Sequence, residues 1–81
     1  MYATAVCPYC VAAERLLRSK GVAEISKVRI ELDPVRRIEM MRRTGRRTVP
    51  QIYIGDAYVG GYNELVALDA AGALEALLRG A

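Results

Sequence analysis

Between Ile25 and Leu32 apolar residues alternate with charged ones, Val28, Ile30 and Leu32 against Lys27, Arg29 and Glu31, and Asp33-Pro34 follows at once. A period of two ending on a capping aspartate and a proline at the first helical position predicts a strand delivered straight into a helix. That helix carries Ile38 and Met41 as its apolar stripe, keeps Arg42 and Arg43 for its C-terminal end, and stops at Gly45.

The same alternation of strand and helix runs through the chain. Residues 1–4 read as a very short strand. Pro8 to about Ser19 reads as a helix with Ala13, Leu16 and Leu17 inward, a Glu14–Arg18 pair outward and Gly21 as its stop. Val49 to Ile54 is a third strand, and Gly55-Asp56 supplies a two-residue hairpin turn into a fourth near Tyr58–Val59. After Gly60-Gly61, Asn63 is expected to cap a helix bearing Leu65, Ala67 and Leu68. A last helix after Gly72 turns Leu74, Leu77 and Leu78 inward. Right-handed crossover makes the first two strands parallel. The order β-α-β-α-β-β-α-α therefore predicts an α/β fold, a four-stranded mixed sheet flanked by helices. At 81 residues, 53% hydrophobic and 26% charged, residues 1–81 suit one globular domain and are too few for two. No run approaches the length of a membrane span and no secretory signal is visible, so a cytoplasmic protein is expected.

In that compartment a Cys-x-x-Cys pair points to redox or metal chemistry rather than to a structural bridge. Cys7 and Cys10 would close too small a loop to restrict the unfolded chain. A zinc site lacks ligands, since there is no histidine and no third cysteine. An iron–sulfur cluster shared between two chains would need outside thiols to complete its coordination. Thiol–disulfide exchange needs a thiolate, and the junction of a strand with a helix start favours negative charge on Cys7, with Pro8 at the position where a missing N–H costs nothing. Cys7 is thus expected to attack, and Cys10, three residues on along the same face, to release the substrate by closing the intramolecular bridge.

Pro50, in Thr48-Val49-Pro50, opens the third strand without a ladder donor. In a chain of this order a cis Val49–Pro50 bond beside Cys7 is expected, with the Val49 backbone turned outward to pair with an extended substrate. The net charge of +3 is carried mostly by arginine, and Arg36, Arg37, Arg42, Arg43, Arg46 and Arg47 fall within twelve residues. Such a run reads as a solvated helix face or a surface for small anions and acidic proteins. Nucleic acid is not an expected partner, because no interleaved aromatics accompany the charge.

Taken together, Cys7-Pro8-Tyr9-Cys10, the run from Gly45 to Gly55 through Thr48-Val49-Pro50-Gln51, Val59-Gly60-Gly61 and the closing Ala67-Leu68-Asp69 to Leu78 resemble a glutaredoxin of the bacterial dithiol kind, within the thioredoxin-like fold. The resemblance implies a glutathione-dependent oxidoreductase with no tightly bound cofactor and glutathione as co-substrate. It implies that Thr48, Val49 and Pro50 meet the tripeptide's cysteinyl backbone, that Tyr9 borders the sulfur, and that Arg37 meets the glycine carboxylate. Beyond Gly61, the N–H groups of Tyr62 and Asn63 would take the other carboxylate, and Glu64 the γ-glutamyl ammonium. The implied partners are glutathionylated or disulfide-bearing proteins, ribonucleotide reductase among them, with the chain acting as a monomer away from membranes. Thr4 stands where the family often has a basic residue, Tyr58 where histidine is common, and Tyr62-Asn63 in place of a more usual cysteine- or serine-aspartate pair.

Overall fold

The first two helices start where the sequence supplies a cap. In the computed structural model, which describes residues 1–80, α1 (Pro8–Ser19) is capped by Cys7 and α2 (Pro34–Thr44) by Asp33, whose carboxylate accepts the Val35 N–H at 3.0 Å. Ala81, the last residue of the expected 1–81 domain, lies outside the described residues. Gly45 ends α2 in the left-handed conformation, φ 71°, a geometry that favours glycine.

Strands β1 (Tyr2–Ala3) and β2 (Val28–Arg29) pair in parallel, and β3 (Ile52–Ile54) and β4 (Ala57–Gly60) pair antiparallel. Tyr2 and Gln51 join the two ladders, exchanging N–H···O bonds of 2.9 and 3.1 Å. The strands thus lie in the order β2-β1-β3-β4, the small mixed sheet expected. Helices α3 (Tyr62–Ala70) and α4 (Ala73–Gly80) complete the predicted sequence of elements. Alternation along β3 sorts the core into two halves. Ile52 and Ile54 pack with Ala13, Leu17, Leu65 and Leu74, which places α1, α3 and α4 on one face. Tyr53 faces the other way, where Tyr2, Ile30 and Met40 of α2 meet. No helix among the described residues is long and apolar enough to cross a membrane.

The structure corrects four local expectations. The strand expected over Ile25–Leu32 forms only at Val28–Arg29, because β1 offers only Tyr2 and Ala3 opposite it. Ile30 is buried as expected, but the chain turns there and Leu32 is left 72% exposed. The third strand likewise starts at Ile52 rather than Val49, with Gln51 contributing one bridge. On α2 it is Met40 that is fully buried, while Met41 is half-buried and Ile38 is 50% exposed. The helix is rotated so that its apolar edge meets Tyr2 rather than facing the centre of the Ile38–Met41 stripe. Finally, α3 is capped by extended Gly61 with no side-chain bond. Asn63 sits past the cap, exposed in the first turn, and Ala67 is exposed too.

Candidate active site

The two cysteines occupy unequal places on the first turn of α1. Cys7 is extended (φ −145°, ψ 104°) at the cap position, and its Sγ accepts the Cys10 N–H at 3.2 Å. A sulfur there stands on the positive end of the helix with a donor already aimed at it, an arrangement that suits an anion. Cys7 is 9% exposed and Cys10 4%, both as free thiols, and both pack on Ala3. Burial, and next the hydrogen bond with Cys7, push the Cys10 thiol up to about 11. At neutral pH Cys10 is therefore a protonated thiol held beneath Cys7.

Opposite Cys7 lies the loop before β3. The Val49–Pro50 peptide is cis, as expected, and Cys7 Sγ donates to the Val49 carbonyl oxygen at 3.8 Å. This loop is fixed from behind by Gln51, to which the sequence alone assigned no role. Gln51 is completely buried, and its amide donates to the Thr48 carbonyl at 2.9 Å and to Thr48 Oγ1 at 3.3 Å. Tyr58 donates to the remaining acceptor, Gln51 Oε1, at 2.5 Å. A polar residue in the apolar run Val49–Ile54 was the available signal, since a buried amide must find partners. Thr48 itself is exposed.

The head of α3 forms the third side. A methyl group on Gly61 would stand 3.6 Å from the Pro50 carbonyl oxygen and 3.4 Å from Glu64 Oε2. Gly60, at φ 116°, leaves the room into which the Glu64 side chain folds. Arg46, from the loop after α2, forms an ion pair with Glu64, and that guanidinium is the main cause holding the Glu64 carboxyl below its usual range. The exposed ring of Tyr9 leans on Tyr62 with centroids 6.0 Å apart.

Of the residues singled out in the sequence, the structure thus gathers Cys7, Cys10, Thr48, Val49, Pro50, Gly61 and Glu64, with Tyr9 and Tyr62 along one rim. Arg37 stands exposed on α2 and makes no ion pair among the described residues, and no contact ties it or Asn63 to that group. The arginine run divides: Arg36 and Arg43 bind Glu39, and Arg43 also donates to Tyr2 Oη at 2.8 Å and lies 4.3 Å over the Tyr53 ring. Part of that run is therefore structural rather than free surface. The described residues contain no cluster of three or more histidine, cysteine, aspartate or glutamate side chains placed to hold a metal.

Comparison with known proteins returns one family repeatedly. The glutaredoxin family model matches residues 1–59. Glutaredoxin 3 of Escherichia coli is 46% identical over 79 residues, covering 98% of this chain and 94% of its own. The solution structure of a glutaredoxin from Brucella melitensis superposes with a TM-score of 0.82 at 45% identity, over 95% of this chain and 83% of that one. A buckwheat glutaredoxin crystallised with glutathione shares the fold, with a TM-score of 0.88 at 23% identity over 96% of this chain and 73% of its own.

Proposed function

This chain belongs to the glutaredoxin family of thiol–disulfide oxidoreductases, and from that premise we propose that residues 1–81 form one glutathione-dependent domain acting on glutathione mixed disulfides and on protein disulfides. The observation that carries the reading is the placement of Cys7 Sγ at the head of α1, 3.8 Å from the carbonyl of the cis Val49–Pro50 unit. An extended thiol-bearing peptide laid along that loop can pair its backbone with Val49 while its sulfur meets Cys7.

In the monothiol route the Cys7 thiolate attacks the glutathionyl sulfur of a mixed disulfide. A bond forms between Cys7 and glutathione, and the target protein leaves as a thiol. A second glutathione thiolate then attacks that bond, releasing glutathione disulfide and restoring Cys7. In the dithiol route Cys7 attacks a protein disulfide and Cys10 displaces the product, leaving a Cys7–Cys10 bridge that two glutathione molecules reduce. Burial of Cys10 supports this order, because a protonated inner thiol does not compete for the incoming disulfide. Thr48, Val49 and Pro50 would hold the cysteinyl backbone, with Tyr9 beside the sulfur. Arg37 would take the glycine carboxylate. The N–H groups after Gly61, on Tyr62 and Asn63, would take the γ-glutamyl carboxylate, and Glu64 its ammonium. Glutathione is then a co-substrate rather than a resident cofactor, and the setting proposed is a monomer in the cytoplasm serving glutathionylated or disulfide-bearing proteins, including ribonucleotide reductase.

The test is turnover of a glutathione mixed disulfide with glutathione, glutathione reductase and NADPH supplying electrons. Activity that vanishes in Cys7→Ser is expected. An intact, reducible protein without turnover would instead favour a redoxin fed by thioredoxin reductase.

A further inference from the structure

The short segment that delivers Cys7 to the head of α1 has little to hold it. Val28 N–H donates to the Met1 carbonyl and Ile30 N–H to that of Ala3, successive rungs of a parallel ladder. The next rung of that pattern would carry the Ala5 N–H to the Ile30 carbonyl. It does not form, because the chain turns there and the Leu32 N–H donates back to the Arg29 carbonyl at 3.2 Å. The Ala5 N–H goes instead to a side chain, Glu31 Oε2, at 2.5 Å. Among the described residues Thr4, Ala5 and Val6 make no hydrogen bond to another backbone group. Packing does not fix them either. Ala5 is exposed, Val6 is 92% exposed, and a recess of about 350 Å³ lined by Thr4, Ala5, Cys10 and Arg29 opens alongside.

Glu31 is itself gripped. Arg29 Nε donates to its Oε1 at 2.9 Å and Arg29 Nη2 to its Oε2 at 3.1 Å, a two-point contact that suits a planar guanidinium. Arg29 first, and next the Ala5 N–H, hold the Glu31 carboxyl below its usual range, so an ionised acceptor faces the segment. Ala5 stands two residues before Cys7, and the Thr4 backbone hydrogen-bonds Cys10. The braced stretch therefore links the sulfur at the cap to the sulfur beneath it.

We propose that Glu31, gripped by Arg29, is a positioning residue for the cysteine pair, fixing through the Ala5 amide the segment that keeps Cys7 Sγ within reach of Cys10. Closing the bridge is an intramolecular displacement, and it is favoured by the fraction of time the two sulfurs stand in range. Loosening Thr4–Val6 lowers that fraction and leaves the bridge easier to reduce. The inference rests on the redox reading of Cys7 and Cys10 but not on glutathione recognition.

The test equilibrates the full chain with reduced and oxidised dithiothreitol. Each exchange converts the Cys7–Cys10 bridge to two thiols and one dithiothreitol to its cyclic disulfide, so two electrons and two protons pass. Glu31→Ala should lower the equilibrium constant for bridge formation about 5–10-fold, the effect of losing one partly exposed hydrogen bond. That fold-change is a rise in potential of about 20–30 mV. The Ala5 amide should exchange hydrogen about tenfold faster while the Val28 and Ile30 amides stay protected. Arg29→Ala keeps the carboxylate but frees it, and should shift the equilibrium the same way by a smaller factor. Opposite shifts in the two variants would overturn the proposal, because a charge acting on a thiolate changes sign between them. An unchanged equilibrium or unchanged Ala5 exchange in Glu31→Ala would overturn it as well. Should Glu31→Ala unfold, the sign of the Arg29→Ala shift decides alone. Failure of the glutathione reading would show separately, as absent turnover of a glutathione mixed disulfide by the wild type with these shifts intact.

Discussion

Alkaline titration of the reduced protein tests the asymmetry of the two thiols directly. Burial raises Cys10 from an ordinary value of 9.0 to about 11 in the folded state. The folded chain then holds this proton more tightly than the unfolded chain does. The contribution is present in full below pH 9 and is lost as pH rises through 11, because the unfolded state deprotonates first. Two pH units correspond to roughly 2–3 kcal/mol, a large share of the stability of so small a domain. Urea unfolding under reducing conditions from pH 7.5 to 11 should reveal the loss. Tyr2, also raised by burial, adds a slope of its own. The informative quantity is therefore the difference between wild type and Cys10→Ser, in which the tyrosine cancels. The Cys10 ¹³Cβ shift should titrate with a midpoint well above 9. Parallel stability curves for the two proteins, or a midpoint at or below 9, would refute the reasoning, and with it the claim that Cys10 waits as a thiol.

Three further outcomes are expected. Cys10→Ser should keep most of the activity on glutathione mixed disulfides while reduction of protein disulfides collapses, measured with one substrate of each kind; equal loss of both would contradict the division of labour. Arg37→Ala should raise KM for a glutathione mixed disulfide about 3–10-fold at constant kcat, the effect of removing one exposed charge-assisted bond worth about 1 kcal/mol. A fall in kcat with KM unchanged would remove Arg37 from the binding role. Gly60→Ala should cost about 1–2 kcal/mol in urea unfolding, since φ is 116° and the added methyl lies 3.1 Å from the Glu64 side chain.

The order of elements and the cysteine chemistry were legible because they rest on local signals. Capping residues, prolines at helix starts and a Cys-x-x-Cys at a strand–helix junction all act within a few residues of themselves. What the sequence could not convey was set by partners distant along the chain. The alternation from Ile25 to Leu32 is a sound strand pattern, yet a strand persists only opposite another. Here β1 reaches only Val28 and Arg29. The apolar residues of α2 allow two stripes, and only the packing of Tyr2 against the helix selects Met40 over Ile38. Asn63 has the chemistry of a cap, but Gly60-Gly61 brings the chain into α3 two residues too early for it to act. The pairing of Arg46 with Glu64 spans 18 residues and leaves no trace in local composition.

The contact of Tyr58 with Gln51 shows how such distant contacts bear on the site. Gln51 is wholly enclosed, so each of its polar atoms left unpaired would cost about 1–3 kcal/mol. Tyr58 reaches its carbonyl from the neighbouring strand, which frees the amide to hold Thr48 by both carbonyl and hydroxyl. Among the described residues no buried side-chain nitrogen or oxygen is left without a partner. The loop that faces Cys7 is therefore positioned from within the sheet rather than by its own sequence. Through Tyr58 and Gln51, strand β4 sets where the Thr48-Val49-Pro50 backbone stands against the sulfur.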